Sequence, residues 1–213
     1  RLYEGHKLIS YPRTDSKYLP NDMTSRLEPM IDGLASYPAT AKASAKIQED
    51  GPKNIHRNFN DSKVSDHYAI VPIRVPNSPL SGDDERIYNL IAQQFLAAHM
   101  SAARWSLVKR FTQAGDLTFE TKGRVLEFPG YELAFGKKVG DGSPLSTLPS
   151  DSDNQAQLVD ATLEEKQTKP PPRLSEAGLL TKMETCGKEI DDDEFSEAMT
   201  ARGLGTPATR AET

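Results

Sequence analysis

The spacing of apolar residues changes from helical to strand-like at Ala103, which excludes an all-helical and an all-strand fold alike. Upstream, residues 84–102 give the clearest helix. Ile87, Leu90, Ile91, Gln94, Phe95 and Ala98 share one face there, and Ser81 with Asp84 offers a capping-box-like start. Downstream, WSLVKRFTQA, DLTFETKG and RVLEF read as strands separated by Gly115 and Gly123, and PGYELAF closes the set. Helices and strands occupy different stretches. The expected fold class is mixed α and β, a mainly helical domain followed by an antiparallel sheet and the start of another helical domain.

Smaller signals fill in the order. Residues 1–5 read as a helix end stopped by Gly5, and KLISY as a short strand. Pro12 interrupts any ladder, so Tyr11 to Ser16 should form a strand end and turn, a good place to present side chains. Asn21 or Asp22 can cap a helix carrying Leu27, Met30, Ile31 and Leu34, which Pro38 ends, and TAKASAKIQ suggests another short helix. Residues 136–156, rich in Gly, Ser, Asp and Pro, read as a loop, and QAQLVDATLEEKQT as a further strand before Lys169-Pro170-Pro171-Pro172. The tail looks helical from Leu174 to Glu184, then acidic, with Pro207 suited to a first helical turn. Domain boundaries are expected near 103 and 168, giving segments 1–103, 104–168 and 169–213.

A chain of 213 residues with 36% hydrophobic and 27% charged content reads as soluble and globular. Its longest apolar runs fall far short of the roughly 20 residues that span a bilayer. The single cysteine, Cys186, forms neither an internal disulfide nor a metal cluster and fits a reducing cytoplasm. RLYEGHKLIS lacks the apolar core of a signal peptide and does not begin with Met, so the chain is expected to start inside a longer protein. A net charge of -5 would, taken alone, argue against nucleic acid. Net charge averages over the surface, however. Acids concentrate at Asp83 to Glu85, between Asp151 and Glu165, and in EIDDDE from Glu189 to Glu194, whereas the first thirteen residues carry Arg1, Lys7 and Arg13 against Glu4 alone. A continuous acid run is usually a solvated loop, so EIDDDE is not read as a metal site.

The stretch ISYPRTDSKYLP, Ile9 to Pro20, holds the residues best suited to chemistry. Free tyrosine keeps its proton up to a pH of about 10, so an enzyme that uses one as a nucleophile needs a cation nearby. Arg13 can supply that charge. In extended backbone, residues i and i+2 project to one face, so Tyr11 and Arg13 could address one phosphate, with hydroxyl donors from Thr14 and Ser16 and with Asp15 orienting Arg13. A Tyr-x-Arg pair alone is a weak signal, since exposed Tyr-Arg neighbours are common.

The whole string resembles the active-site motif of type IA DNA topoisomerases, especially the bacterial topoisomerase III branch. Asp66-His67-Tyr68-Ala69-Ile70-Val71-Pro72 is similar to the family's histidine motif, although the family more often has His or Glu at Tyr68 and Thr or Ser at Ile73. Phe111-Thr112-Gln113-Ala114-Gly115 and Phe128-Pro129-Gly130-Tyr131 resemble the β-rich gate segment. Pro171 to Ala177, and Gly203-Leu204-Gly205-Thr206-Pro207-Ala208-Thr209-Arg210-Ala211, resemble the segments returning to the DNA-binding groove. These blocks keep the family's order along almost the whole chain.

The resemblance implies that Tyr11 is the strand-cutting nucleophile and Arg13 its catalytic partner, forming a 5'-phosphotyrosine without ATP. It implies DNA contacts by Thr14, Asp15, Ser16, His67, Arg173, Ser175, Thr206 and Thr209. No cofactor or metal is expected within the chain: magnesium ligands, with a lysine and a glutamate, would belong to a Toprim domain preceding it. The expected partners are single-stranded DNA and that Toprim domain, with no membrane. Each residue also has a plainer reading. His67 could hold a carbonyl, and Ser175, Thr206 and Thr209 could be helix caps, a role that shares its free amides with phosphate binding. Lys169 and Arg173 could be solvated charges. Tyr18, Tyr88 and Tyr131 are expected to pack, and His99 to lie on a helix surface. A tyrosine recombinase is disfavoured because its tyrosine follows its arginines and histidine, whereas Tyr11 precedes everything. A non-catalytic DNA-binding or scaffold module would suit the acidic composition.

Overall fold

The computed structural model describes residues 1–64, 66–146, 148, 155, 157–189 and 203–210. These group into two units: Arg1–Pro12 with Ser16–Gln157, and Arg13–Asp15 with Leu158–Thr213. The chain is mixed α and β with a three-stranded antiparallel sheet.

In the first unit, Leu27, Ile31 and Leu34 fall on one helical face and are buried in helix α1, Leu27–Ala35. The preceding 3-10 turn, Asn21–Arg26, is held from outside. Asp61 accepts hydrogen bonds from the Asn21 backbone N–H (2.8 Å) and side-chain amide (2.7 Å). Helix α2, Ala41–Asp50, buries Ala43, Ser44 and Ile47, and the short α3 covers Ile55–Asn58.

Helix α4, Gly82–Ala98, forms where expected, and Phe95 and Ile91 of the expected face pack inward, but the buried face is turned away from Ile87 and Leu90. Tyr88, Ala92, Phe95, Leu96 and Ala97 face the core, whereas Ile87 and Leu90 are 49% and 59% exposed. The physical reason is that the aromatic ends find partners inside. The Tyr88 hydroxyl donates to the Arg74 carbonyl at 2.7 Å, so a residue with a polar tip can be buried. His99 likewise corrects the surface reading: it is 1% exposed, its Nδ1 lying 2.8 Å from the Phe95 carbonyl oxygen. Ser81 occupies the N-cap position without a side-chain cap bond, and Asp84 instead pairs with Arg1 and His6. Leu2, Leu8, Ile9 and Val71 complete this core.

Strands β1, Arg104–Ala114, and β2, Leu117–Phe128, form one long antiparallel hairpin, and β3, Gly142–Ser143, pairs with Arg124 and Val125. Gly123 does not separate two strands; it lies inside β2, where a Cβ would stand 2.5 Å from that of Leu145. Glycine there admits the incoming segment rather than turning the chain. PGYELAF is not a strand either. Gly130–Phe135 is a 3-10 helix that buries Ala134 in the core and leaves Tyr131 40% exposed, contrary to its expected packing role.

The described part of QAQLVDATLEEKQT, which belongs to the second unit from Leu158 onward, forms no strand, and Leu158, Val159 and Leu163 are exposed. No ladder partner meets it among the described residues, so its apolar side chains have no sheet to pack on. Helix α5, Glu176–Thr185, agrees with the expected tail helix, and Ser175 caps it by accepting from the Gly178 N–H at 3.1 Å. The Leu204 N–H donates to the Met183 carbonyl at 2.7 Å, which ties 203–210 to α5. Around Pro207, Thr209 and Arg210 N–H groups donate to the Thr206 carbonyl at 3.0 Å, a single helical turn. Most of EIDDDE, and Ala211, lie outside the described residues. Among the described residues no helix is long and apolar enough to cross a membrane.

Candidate active site

KLISY condenses to a single antiparallel bridge, Ile9 with Pro72. Two prolines limit it: Pro12 follows directly, and Pro72 has no N–H to extend a ladder. Side-chain chemistry compensates. The buried Ser10 Oγ donates to the Ala69 carbonyl and accepts from the Val71 N–H, both at 2.9 Å, while the Ser10 N–H donates to the Val71 carbonyl at 3.0 Å. The Ile73 N–H reaches the Leu8 carbonyl at 2.8 Å. Residues 8–10 and 69–73 are thereby locked side by side.

This lock carries Tyr11 to His67. Their ring centroids lie 4.2 Å apart with planes tilted by 38°. Tyr3 meets Tyr11 edge-on at 5.4 Å and 81°. The Tyr11 ring is thus held between two aromatic neighbours, partly exposed, with His67 open to solvent. Ser10 and Tyr3 were not singled out by sequence reasoning. A serine beside a tyrosine carries no distinctive signal, and only a buried position would have marked it. Tyr3 could have been noticed as an aromatic beside the core residue Leu2.

The other tyrosines separate by environment. Burial pushes the Tyr88 phenol well above its ordinary range, with Tyr37 adding to the effect. Burial and the Glu85 carboxylate push Tyr37 upward too, and its hydroxyl donates to Asn89 at 2.7 Å. Neither can readily become a phenolate. Tyr18 is different. Lys63 Nζ lies 3.1 Å from its hydroxyl and 4.7 Å from its ring centroid, which gives it a cationic neighbour.

Ser16, in the same unit, donates through Oγ to the Lys63 carbonyl at 3.0 Å and accepts from the Tyr18 N–H at 3.1 Å. Arg13, Thr14 and Asp15 group instead with the second unit, which also holds Arg173, Ser175, Thr206 and Thr209. There the Thr206 and Thr209 hydroxyls lie 3.1 Å apart, and the Thr206 N–H donates to Thr209 Oγ1 at 3.0 Å. Both threonines therefore take part in the local turn. Arg173 and Ser175 immediately precede α5, Ser175 as its N-cap. Among the described residues no group of three or more His, Cys, Asp or Glu is placed to hold a metal ion.

Comparison with known proteins gives the context of this geometry. A family described as DNA topoisomerase matches residues 1–213. DNA topoisomerase 3 of Bacillus licheniformis is 36% identical over 221 residues, covering 100% of this chain and 30% of its own length. The Bacillus subtilis protein of the same name is 35% identical over 222 residues, again 100% and 30%. Full-length topoisomerase I from Thermotoga maritima aligns at 22% identity and a TM-score of 0.48, over 96% of this chain and 29% of its own. The chain spans about 30% of the length of the curated relatives it matches. With its entire length matched, the chain belongs to the DNA topoisomerase family, as a type IA, topoisomerase III-like member.

Proposed function

We propose that this chain is the nucleophile-bearing part of an enzyme that transiently breaks and rejoins one DNA strand. The observation that carries the reading is the Tyr11–His67 contact at 4.2 Å, made by two segments distant in sequence within a chain matched over its whole length. The Tyr11 oxygen attacks a backbone phosphorus and loses its proton. The bond from phosphorus to the 3' oxygen breaks, and that oxygen takes up a proton, leaving a 5'-phosphotyrosine and a free 3'-hydroxyl. Resealing runs the same steps backward. Because one ester replaces another, no ATP is needed.

Negative charge gathers on the phosphoryl oxygens during transfer, and Arg13 is the group suited to stabilise it. His67, exposed beside Tyr11, can donate a ring N–H to a phosphate oxygen and so anchor the strand. Thr14, Asp15, Ser16, Arg173, Ser175, Thr206 and Thr209 are assigned to DNA contact. Single-stranded DNA is the substrate. Residues 1–103 form the tyrosine-bearing domain, 104–168 the β gate segment that lets a second strand pass, and 169–213 the start of a DNA-binding domain. Magnesium is assigned to residues outside this chain, in a Toprim domain, where it would help to position and neutralise phosphate. A cytoplasmic location accords with a DNA substrate. The 213-residue chain alone is therefore expected not to relax supercoiled DNA.

The test uses a complete enzyme rebuilt around this segment. Arg13→Lys keeps the charge but loses the planar fork, so DNA binding should persist while cleavage falls by roughly tenfold or more. His67→Ala should weaken strand positioning with a smaller loss than removal of the Tyr11 oxygen. An Arg13→Lys enzyme cleaving at the parental rate would contradict the assignment.

A further inference from the structure

Tyr3 stands out as an aromatic side chain held in a defined pose with no role in the proposed chemistry. Its neighbour Leu2 is buried in the core, and the Leu8 N–H donates to the Leu2 carbonyl at 2.9 Å. The Gly5 and His6 N–H groups donate to the Arg1 carbonyl at 2.8 and 3.0 Å, closing a turn under Tyr3. Arg1 and His6 both reach Asp84, at 3.4 and 3.6 Å, which fastens this turn to the start of α4. Lys7 has φ 54°, a left-handed conformation unfavourable for a residue with a Cβ. Its ammonium lies 5.7 Å from the centre of the Tyr3 ring. Strain at such a residue persists only where the surroundings over-determine it.

These fixed points converge on one contact. The Tyr3 ring meets Tyr11 at 5.4 Å and 81°, the edge-to-face arrangement aromatic rings prefer, while His67 lies 4.2 Å from Tyr11. A phenol ring turns about two bonds. With His67 alone against it, Tyr11 could swing away from its contact; with a second ring set nearly perpendicular, that swing is opposed. Among the described residues the Tyr3 hydroxyl makes no hydrogen bond, so its ring rather than its oxygen does the holding.

We propose that Tyr3 is a positioning residue, whose ring, seated by the Arg1–Gly5 turn and by Lys7, holds the Tyr11 oxygen in line for attack. This rests on Tyr11 being the nucleophile. Misplacing an attacking atom by about 1 Å can cost on the order of a hundredfold in rate, so a modest loosening is measurable.

The test compares Tyr3→Phe and Tyr3→Leu in the rebuilt complete enzyme, measuring single-turnover formation of the covalent adduct on a single-stranded oligonucleotide, and oligonucleotide binding separately. Tyr3→Phe keeps the ring and should react within about twofold of the parent, whereas Tyr3→Leu should lose roughly tenfold or more with binding unchanged. A leucine variant that reacts at the parental rate overturns the proposal, as does a phenylalanine variant that loses tenfold. Should the leucine variant not fold, the phenylalanine result still decides, together with Tyr3→Met, which fills the space without a ring and should behave as leucine was expected to. Mapping the parent's adduct separates the two readings. An adduct on another tyrosine defeats the proposed function, while an adduct on Tyr11 that is indifferent to Tyr3 defeats this inference alone.

Discussion

Ser10→Ala tests what holds the candidate site together. The change removes one oxygen and leaves the backbone bond between the Ser10 N–H and the Val71 carbonyl in place. Two bonds of 2.9 Å vanish, one to the Ala69 carbonyl and one from the Val71 N–H. A lost hydrogen bond nets about 1 kcal/mol, and a buried group left unpaired costs about 1–3 kcal/mol. Val71 is buried, so its N–H should sit at the high end, while the half-buried Ala69 can recruit water. The expected loss is about 2–4 kcal/mol, corresponding to a fall in Tm of roughly 5–15 °C for a chain of this size. Thermal unfolding followed by circular dichroism measures it. In the folded variant, the His67 ring protons should also lose the ring-current shift that Tyr11 imposes. A destabilisation below about 0.5 kcal/mol, with the His67 signals unmoved, would refute the claim that Ser10 locks residues 8–10 onto 69–73.

Three further substitutions probe the frame around the site. Gly130→Ala forces a Cβ to within 2.4 Å of the Ala102 carbonyl oxygen at φ 46°, and should cost about 2–5 kcal/mol in urea unfolding. Tyr88→Phe strands the Arg74 carbonyl and should cost about 1 kcal/mol in the same assay. Burial lowers the His99 pKa below its ordinary 6.5, the Phe95 carbonyl opposing the shift only in part. The folded state therefore binds this proton less readily than the unfolded state. Its contribution should be full above pH 6.5 and fall as pH drops through the depressed folded value. The stability difference between the parent and His99→Phe should shift against the parent between pH 7.5 and pH 5.5, by roughly 1 kcal/mol; a constant difference would contradict the burial of a neutral imidazole.

Much of the fold was legible because it follows local periodicity. The face of α1 formed by Leu27, Ile31 and Leu34, and the turn at Gly115 between β1 and β2, lie where apolar spacing and glycine put them. The errors came where tertiary partners changed the meaning of a residue. Apolar residues surround α4 on several sides, so spacing alone favoured Ile87 and Leu90, whereas the Arg74 carbonyl made Tyr88 a core residue. Gly123 looked like punctuation but makes room for Leu145. PGYELAF has strand-like composition, yet Gly130 takes a positive φ and Ala134 packs into the core as a tight helix. In the site, periodicity could present Tyr11 at a turn, but only resemblance linked it to His67. No local rule connects residues so distant in sequence, and the serine that joins their segments is inconspicuous until seen buried.

The most direct test of Tyr11 as nucleophile is the identity of the residue that DNA labels. In the complete enzyme, a single-stranded oligonucleotide trapped during turnover should be found by peptide mass spectrometry on Tyr11, and Tyr11→Phe should abolish the adduct while leaving the protein folded. Tyr18 is the informative rival, because Lys63 lies 3.1 Å from its hydroxyl and gives it a cationic neighbour. A phosphotyrosine on Tyr18, or an adduct that survives Tyr11→Phe, would contradict the account.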